Sequence, residues 1–295
     1  MDDGAFPPDI FTHESAPYRL ERPAASAAAT PVIFASPHSG RIYPPSMLAA
    51  AQLDACDIRR SEDAHVDMLI AAAVDHGHTV LCAQFARAYI DVNREPWELD
   101  PAMFADELPA FARARTARVA AGLGAIARIV REGQEIYARK LTFAEAEARV
   151  RSVHEPYHAA LAALIAETKA RFGLAVLVDW HSMPASATGG PAGDPCDVVL
   201  GDRFGSACAS GLTRLVERAL EAMGFMIARN APYAGGYTTT LYGRGVAGCH
   251  ALQIEISRAL YLDESSLKLT QRAGRLTRNL GRFFRVLADV DWAAV

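Results

Sequence analysis

The chain has 295 residues, 51% of them hydrophobic and 22% charged, with a formal net charge of −4 and a pI of about 6.1. This is enough chain to bury a substantial core. The charge balance gives no general attraction to nucleic acid or an anionic membrane, and no apolar run approaches the ~20 residues of a membrane span. The five cysteines (56, 82, 196, 208 and 249) lack CxxC spacing and the amino terminus is acidic, which argues against a disulfide framework, a thiolate zinc site and a secretory signal, and points to the cytoplasm.

Residues 1–30 are rich in Pro and Ala without periodicity and read as a surface arm, leaving 31–295 as a single α/β domain. Residues 31–37 form a short apolar run, a first strand that delivers His38 at its carboxyl end. Ser61 is placed to cap a helix running to about Val74, with Met68, Leu69, Ile70 and Ala72 inward. Glu62, Asp63 and Asp67 then occupy its first turns. They either stabilise a helix start through the dipole or let Glu62 or Asp63 supply a functional carboxylate. Two further strands are expected over 79–83 and 88–94. The second ends in Asn93-Arg94, where an Arg fork can take a carboxylate bidentately. Residues 97–135 show no clear pattern, and Gly122-Leu-Gly124 lacks the remaining glycine of a dinucleotide loop.

Thr142 and Glu145 have capping-box spacing. A helical pattern follows to Gly173, with Pro156 expected to kink or divide it. His154 and His158 lie at i, i+4 without the Glu of an HExxH motif, so they read as a solvated helix face. Residues 175–184 begin as a continuous Ala/Val/Leu run, the pattern of a strand buried on both faces. Asp179, Trp180 and His181 come at its end, where open α/β sheets bind ligands. Residues 185–195 form a loop without the GK[ST] of a phosphate-binding loop. A strand over 197–200, a helix over 207–223, a strand over 225–229 and a hydroxyl-rich loop over 232–240 follow. Residues 251–256 are an apolar strand interrupted by Glu255. Such a carboxylate must be paired, metal-associated or shifted in pKa, unless it shares one wet face with Gln253. A long amphipathic helix over 265–288 closes the chain.

Two histidines and a carboxylate with one open position make the catalytic zinc pattern. Zinc lowers the pKa of its water to about 7 and polarises a carbonyl. A separate Glu can move the proton, and an Arg can hold a carboxylate or an oxyanion. His38, His181, Asp63 or Glu62, Arg94 and Glu255 can fill these roles.

The segments Ser-Pro-His38-Ser-Gly, Ser-Glu-Asp63-Ala-His-Val-Asp, Asp-Val-Asn93-Arg94, Asp-Trp-His181-Ser-Met-Pro and Leu-Gln-Ile-Glu255-Ile together resemble the N-formylglutamate amidohydrolases, over about residues 31–262. That family is similar in fold to zinc carboxypeptidases and aspartoacylases. The resemblance implies a three-layer α/β/α domain with a central mixed sheet, phosphorylase/hydrolase-like in architecture. It implies one Zn²⁺ on His38, Asp63 and His181, Glu255 as general base, and Asn93 and Arg94 as the substrate-binding pair, with Arg94 also catalytic. Asp63 matches the family pattern better than Glu62. The HxxE motif of the carboxypeptidase relatives is missing, since Arg41 stands three residues after His38. The implied partner is a small N-acyl amino acid. Alternatives are a zinc exopeptidase or deacylase with another substrate and a non-catalytic binding protein. A Ser182 nucleophile has no GxSxG elbow to frame it.

Overall fold

The computed structural model describes residues 16–25, 28–131, 133–187, 196–243 and 247–292. Residues 1–15 of the expected arm and 188–195 of the expected loop lie outside them. Among the described residues, no helix is long and apolar enough to cross a membrane.

The fold is α/β, built on a mixed seven-stranded sheet. Its strands are β1 (Tyr18–Glu21), β2 (Val32–Ser36), β3 (Thr79–Ala83), β4 (Ala175–Met183), β5 (Val198–Gly201), β6 (Ile227–Arg229) and β7 (Cys249–Ser257). They are ordered β1-β3-β2-β4-β7-β5-β6. β2, β4 and β7 are mutually parallel neighbours, with Ala35 opposite Asp179 and His181 opposite Glu255. β5 runs antiparallel to β7 and so makes the sheet mixed. All nine residues of β4 and all nine of β7 are buried. This is why both read as nearly unbroken apolar runs: neither face of a central parallel strand meets water. Because the three strands are parallel, their carboxyl ends share one edge of the sheet. His38 follows β2 by two residues there. The first thirty residues are not all arm, since 18–21 pair into the sheet as an edge strand.

The chain divides into two compact units. One comprises residues 20–36, 63–81 and 161–295 and holds most of the sheet. Within it, α1 (Val66–Ile70) is followed by a 3₁₀ segment to His76. The expected helix from Ser61 does not form. Glu62 is extended and His65 is left-handed at φ 65°, so the helix starts only at Val66. The Ser61 hydroxyl bonds the Ile58 carbonyl instead. The last helix of this unit starts at Ala273 rather than 265, because 262–263 and 268–269 pair as a small hairpin first. It buries Ala273, Leu276, Leu280, Phe283, Phe284 and Leu287, the stripe of a one-faced helix. Phe283 and Phe284 meet Trp180, and Phe284 and Trp180 meet Phe34. Each such ring pair contributes roughly 0.5–1.5 kcal/mol beyond burial. Trp180 thus anchors β4 on one face, while Asp179 and His181 alternate to the other. The 232–240 stretch expected as loop ends in a short helix, Tyr237–Tyr242.

The other unit comprises residues 1–19, 37–62 and 82–160. Its core gathers Tyr43, Met47, Ile58, Ala86, Ala88 and Ile136. The Thr142–Glu145 capping box forms as expected, opening the helix Phe143–Arg149. A π turn over Val150–His154 follows before the helix resumes at Glu155–Phe172. Pro156 lacks the N–H that would bond the carbonyl four residues back, and the wider turn stands next to it. Residues 97–135 contain a 3₁₀ turn at Pro101–Met103, a short helix at Ala117–Ala120 and a small hairpin from Ile129. Residues 88–94, expected as a strand, are turns. The Asp91 carboxylate accepts from the Asn93 N–H at 2.8 Å. A local bond of this kind competes with any sheet ladder.

Candidate functional site

The strand end of β4 sets most of the site's geometry. His181 is buried, with Nδ1 3.0 Å from Asp63 Oδ2 and Nε2 3.1 Å from Asp179 Oδ2. Asp179 and His181 stand two apart on one strand, so their side chains share a face. Burial pulls the His181 pKa down, but the carboxylates of Asp179, Asp63 and Glu255 outweigh it. The ring is held well above its ordinary value.

The other oxygen of Asp63 is held by donors. Arg258 Nη2 lies 3.2 Å from Oδ1, and the Ser182 hydroxyl donates to the same oxygen at 3.4 Å. Arg258 Nε also donates to the Ser182 oxygen at 3.1 Å. Ser182 is therefore an orienting group for Asp63. Glu62, the other candidate acid, is fully buried and occupied elsewhere: the Tyr43 hydroxyl donates to it at 2.7 Å and Arg59 donates to both its oxygens.

His38 makes a second carboxylate pair. Its Nε2 lies 2.7 Å from Asp91 Oδ1, and Arg87 donates to Oδ2 at 2.8 Å. Burial would raise the Asp91 pKa, but His38, Arg87 and Arg94 hold it well below the carboxylate range. Because Oδ1 also accepts from the Asn93 N–H, one carboxylate joins His38 to the Asn93-Arg94 segment. Gly40, in the same short motif as His38, passes close to another chain segment. A Cβ there would lie 2.3 Å from the Phe85 carbonyl oxygen, so only glycine fits.

His38, Asp63 and His181 each offer one ligand atom, and these atoms all lie within 4.8 Å of one another. The set fits zinc on chemistry: two imidazoles and a carboxylate, all buried, are the donors of catalytic zinc sites. Both histidines turn Nε2 to a carboxylate, Asp91 or Asp179. Metal-bound histidines nearly always donate from the nitrogen that does not bind the ion, to a carboxylate, a backbone carbonyl or water.

Glu255 and Gln253 are both buried, which overturns the wet-face reading of β7. The Gln253 amide donates to Glu255 Oε1 at 2.8 Å, and Glu255 is the register partner of His181 on β4. Arg94 spends two of its donors on the carbonyls of Leu123 and Asn93, out of five in a guanidinium. His154 and His158 are not a solvated face. His154 is buried, and the two rings donate to the carbonyls of Arg94 at 2.9 Å and Val92 at 2.7 Å.

The sequence reading gives Asp91, Asp179 and Arg258 no part in the site and weighs Ser182 only as a nucleophile. Asp179 was accessible through its i, i+2 spacing from His181, and Asp91 through its place beside Asn93-Arg94. Arg258 is 195 residues from Asp63, and nothing local points to it.

These contacts separate the two acids experimentally. Asp63→Asn is expected to weaken metal binding far more than Glu62→Gln, measured as metal content after dialysis against a chelator series. Gln at 62 can still accept from Tyr43, so that variant should keep its metal. The reverse order would move the ligand role to Glu62.

The model of the family described as N-formylglutamate amidohydrolase matches residues 30–262. A protein named N-formylglutamate deformylase from Pseudomonas aeruginosa is 28% identical over 240 residues, covering 80% of this chain and 84% of its own length. One of the same name from Pseudomonas putida is 26% identical over 249 residues, covering 80% and 83%. The crystal structure of an N-formylglutamate amidohydrolase from Ralstonia eutropha superposes with a TM-score of 0.88 at 36% identity, covering 95% of this chain and all of that one.

Proposed function

Because the chain belongs to the N-formylglutamate amidohydrolase family, we propose that it hydrolyses the amide bond of N-formyl-L-glutamate, or of a similar N-acyl amino acid. N-formyl-L-glutamate would give formate and free glutamate, and another N-acyl amino acid its own acid and the free amino acid. We take residues 31–295, with the edge strand at 18–21, as one catalytic domain using one zinc ion. The observation that carries this reading is the buried His38, Asp63 and His181 group, with the carboxylate of Glu255 opposite His181 on the neighbouring strand.

His38, Asp63 and His181 would hold the ion, which when bound lowers the pKa of a water and polarises the substrate carbonyl. Asp179 and Asp91 fix the two rings, while Arg258 and Ser182 fix Asp63. Glu255 takes a proton from the attacking water and returns it to the leaving nitrogen. Gln253 holds one oxygen of that carboxylate in place. Asn93 and Arg94 bind a substrate carboxylate, and the unspent donors of Arg94 form the charged half of that grip.

The test is metal analysis of the purified protein with assay against a panel of N-acyl amino acids, reading formate and free amino acid separately. Zinc near one equivalent with formate released from N-formyl-L-glutamate is expected. A protein that carries no metal and releases nothing from the panel would refute the proposal.

Arg94→Ala is expected to raise KM for a substrate with a free carboxylate. The lost charge-assisted contact is worth roughly 1.5–3 kcal/mol. A substrate amidated at that carboxylate should be affected much less. Equal losses on both would reassign Arg94 to the fold or to the oxyanion.

A further inference from the structure

We propose that one helix face, made by Arg149, His154 and His158, positions the Asn93-Arg94 segment and thereby sets the enzyme's preference for a substrate carboxylate. The proposal rests on the reading of Arg94 as the carboxylate-binding residue.

The segment from 88 to 94 has no strand or helix to satisfy its backbone. It is nevertheless largely buried, where an unpaired carbonyl is costly. Three side chains from the helical stretch meet its carbonyls in turn. Arg149 donates to the Tyr89 carbonyl at 3.0 Å, His158 to that of Val92 at 2.7 Å and His154 to that of Arg94 at 2.9 Å. Arg149 is itself fixed by the Tyr137 hydroxyl at 2.7 Å, with its guanidinium 4.5 Å over the Tyr89 ring. The two imidazoles lie against each other at 4.5 Å between centroids. The two histidine bonds bracket Asn93 on either side.

The π turn makes this possible. In an ideal α-helix, residues five apart such as Arg149 and His154 point roughly 140° from each other. The wider turn over Val150–His154 brings positions five apart toward one face. His158 then follows His154 by four residues, a single α turn. Burial pushes both imidazoles down, His158 to about 3, so both are neutral donors near pH 7. Each then has one N–H, and Nε2 carries it to the carbonyl. Displacing the Arg94 backbone by even ~1 Å should misplace its guanidinium, an error that can cost as much as ~10²-fold.

The experiment compares His154→Phe, His154→Gln, His158→Phe and Arg94→Ala, all metal-loaded. Substrates are N-formyl-L-glutamate and its α- and γ-monoamides. Phe keeps the ring stack and removes the donor, whereas Gln restores an N–H near the Nε2 position. His154→Phe and His158→Phe are each expected to raise KM for N-formyl-L-glutamate by about 10- to 100-fold, with kcat falling less. The same one of the two monoamides should escape this loss in the Phe variants and in Arg94→Ala. His154→Gln should recover most of the KM.

Unchanged KM in both Phe variants overturns the proposal. So does an equal loss on all three substrates, which would mean a general loss of structure. If Arg94→Ala discriminates between the monoamides and the Phe variants do not, the helix face alone is wrong. If Arg94→Ala fails to discriminate, the reading of Arg94 falls and the positioning role falls with it. Should His154→Phe fail to fold, His158→Phe carries the same expectation.

Discussion

His38→Ala and His181→Ala are each expected to lose bound metal and, with it, activity. Deleting an outer-shell partner of a metal ligand typically weakens affinity by about 10–100-fold. Deleting one of three protein ligands should cost more. Both variants should also lose stability. Removing His38 takes the ring 2.7 Å from Asp91, and removing His181 takes the ring 3.1 Å from Asp179; all four groups are buried. Breaking a buried pair costs about 3–5 kcal/mol, so each variant should melt earlier than the native protein. Metal content by mass spectrometry and thermal melts of both proteins check this. Either variant retaining one equivalent of metal would remove that histidine from the ligand set.

Glu255→Gln is expected to keep the fold and the metal while kcat falls by about 10²–10⁴, the usual contribution of positioned acid–base catalysis. The substitution is nearly isosteric. The amide can still accept from Gln253 through its oxygen, so β7 should be undisturbed. What disappears is the ability to take a proton. KM should change little, because the lost interaction belongs mainly to the transition state. Loss of metal together with activity would make Glu255 a ligand instead. A kcat near that of the native protein would make it structural. Measuring kcat, KM and metal on this one variant separates the three roles.

Much of this site was legible because its residues sit in short, chemically conspicuous stretches. His38 and His181 each end an apolar run, and the burial of β2 and β4 on both faces produces that pattern directly. The capping box at Thr142 is equally local, because its two hydrogen bonds close within four residues. The mixed sheet was implied by the family resemblance, since buried runs alternating with helical patterns point by themselves only to an α/β sheet with parallel strands.

Local pattern failed where tertiary partners outbid it. Residues 88–94 look like a strand, but Asp91 turns the chain on itself and takes His38, and a helix face supplies the missing carbonyl partners. Ser61 has the composition of a helix cap. Yet Glu62 is claimed by Tyr43 and Arg59, and Asp63 by His181, Ser182 and Arg258, so the helix starts only at Val66.

Sequence by itself determined the family and put His38 and His181 at the carboxyl ends of buried strands. These depend on side-chain chemistry and on periodicities of two and 3.6, which a chain carries wherever it folds. Only the tertiary structure decided that Glu62 is occupied by Tyr43 and Arg59, and that Asp91 and Asp179 back the two histidines. It alone showed that Arg258 holds Asp63 and that His154 and His158 are buried donors rather than a wet face. Each of those is a hydrogen bond between residues far apart in the chain or on different elements, and a hydrogen bond exists only when distance and angle are met together.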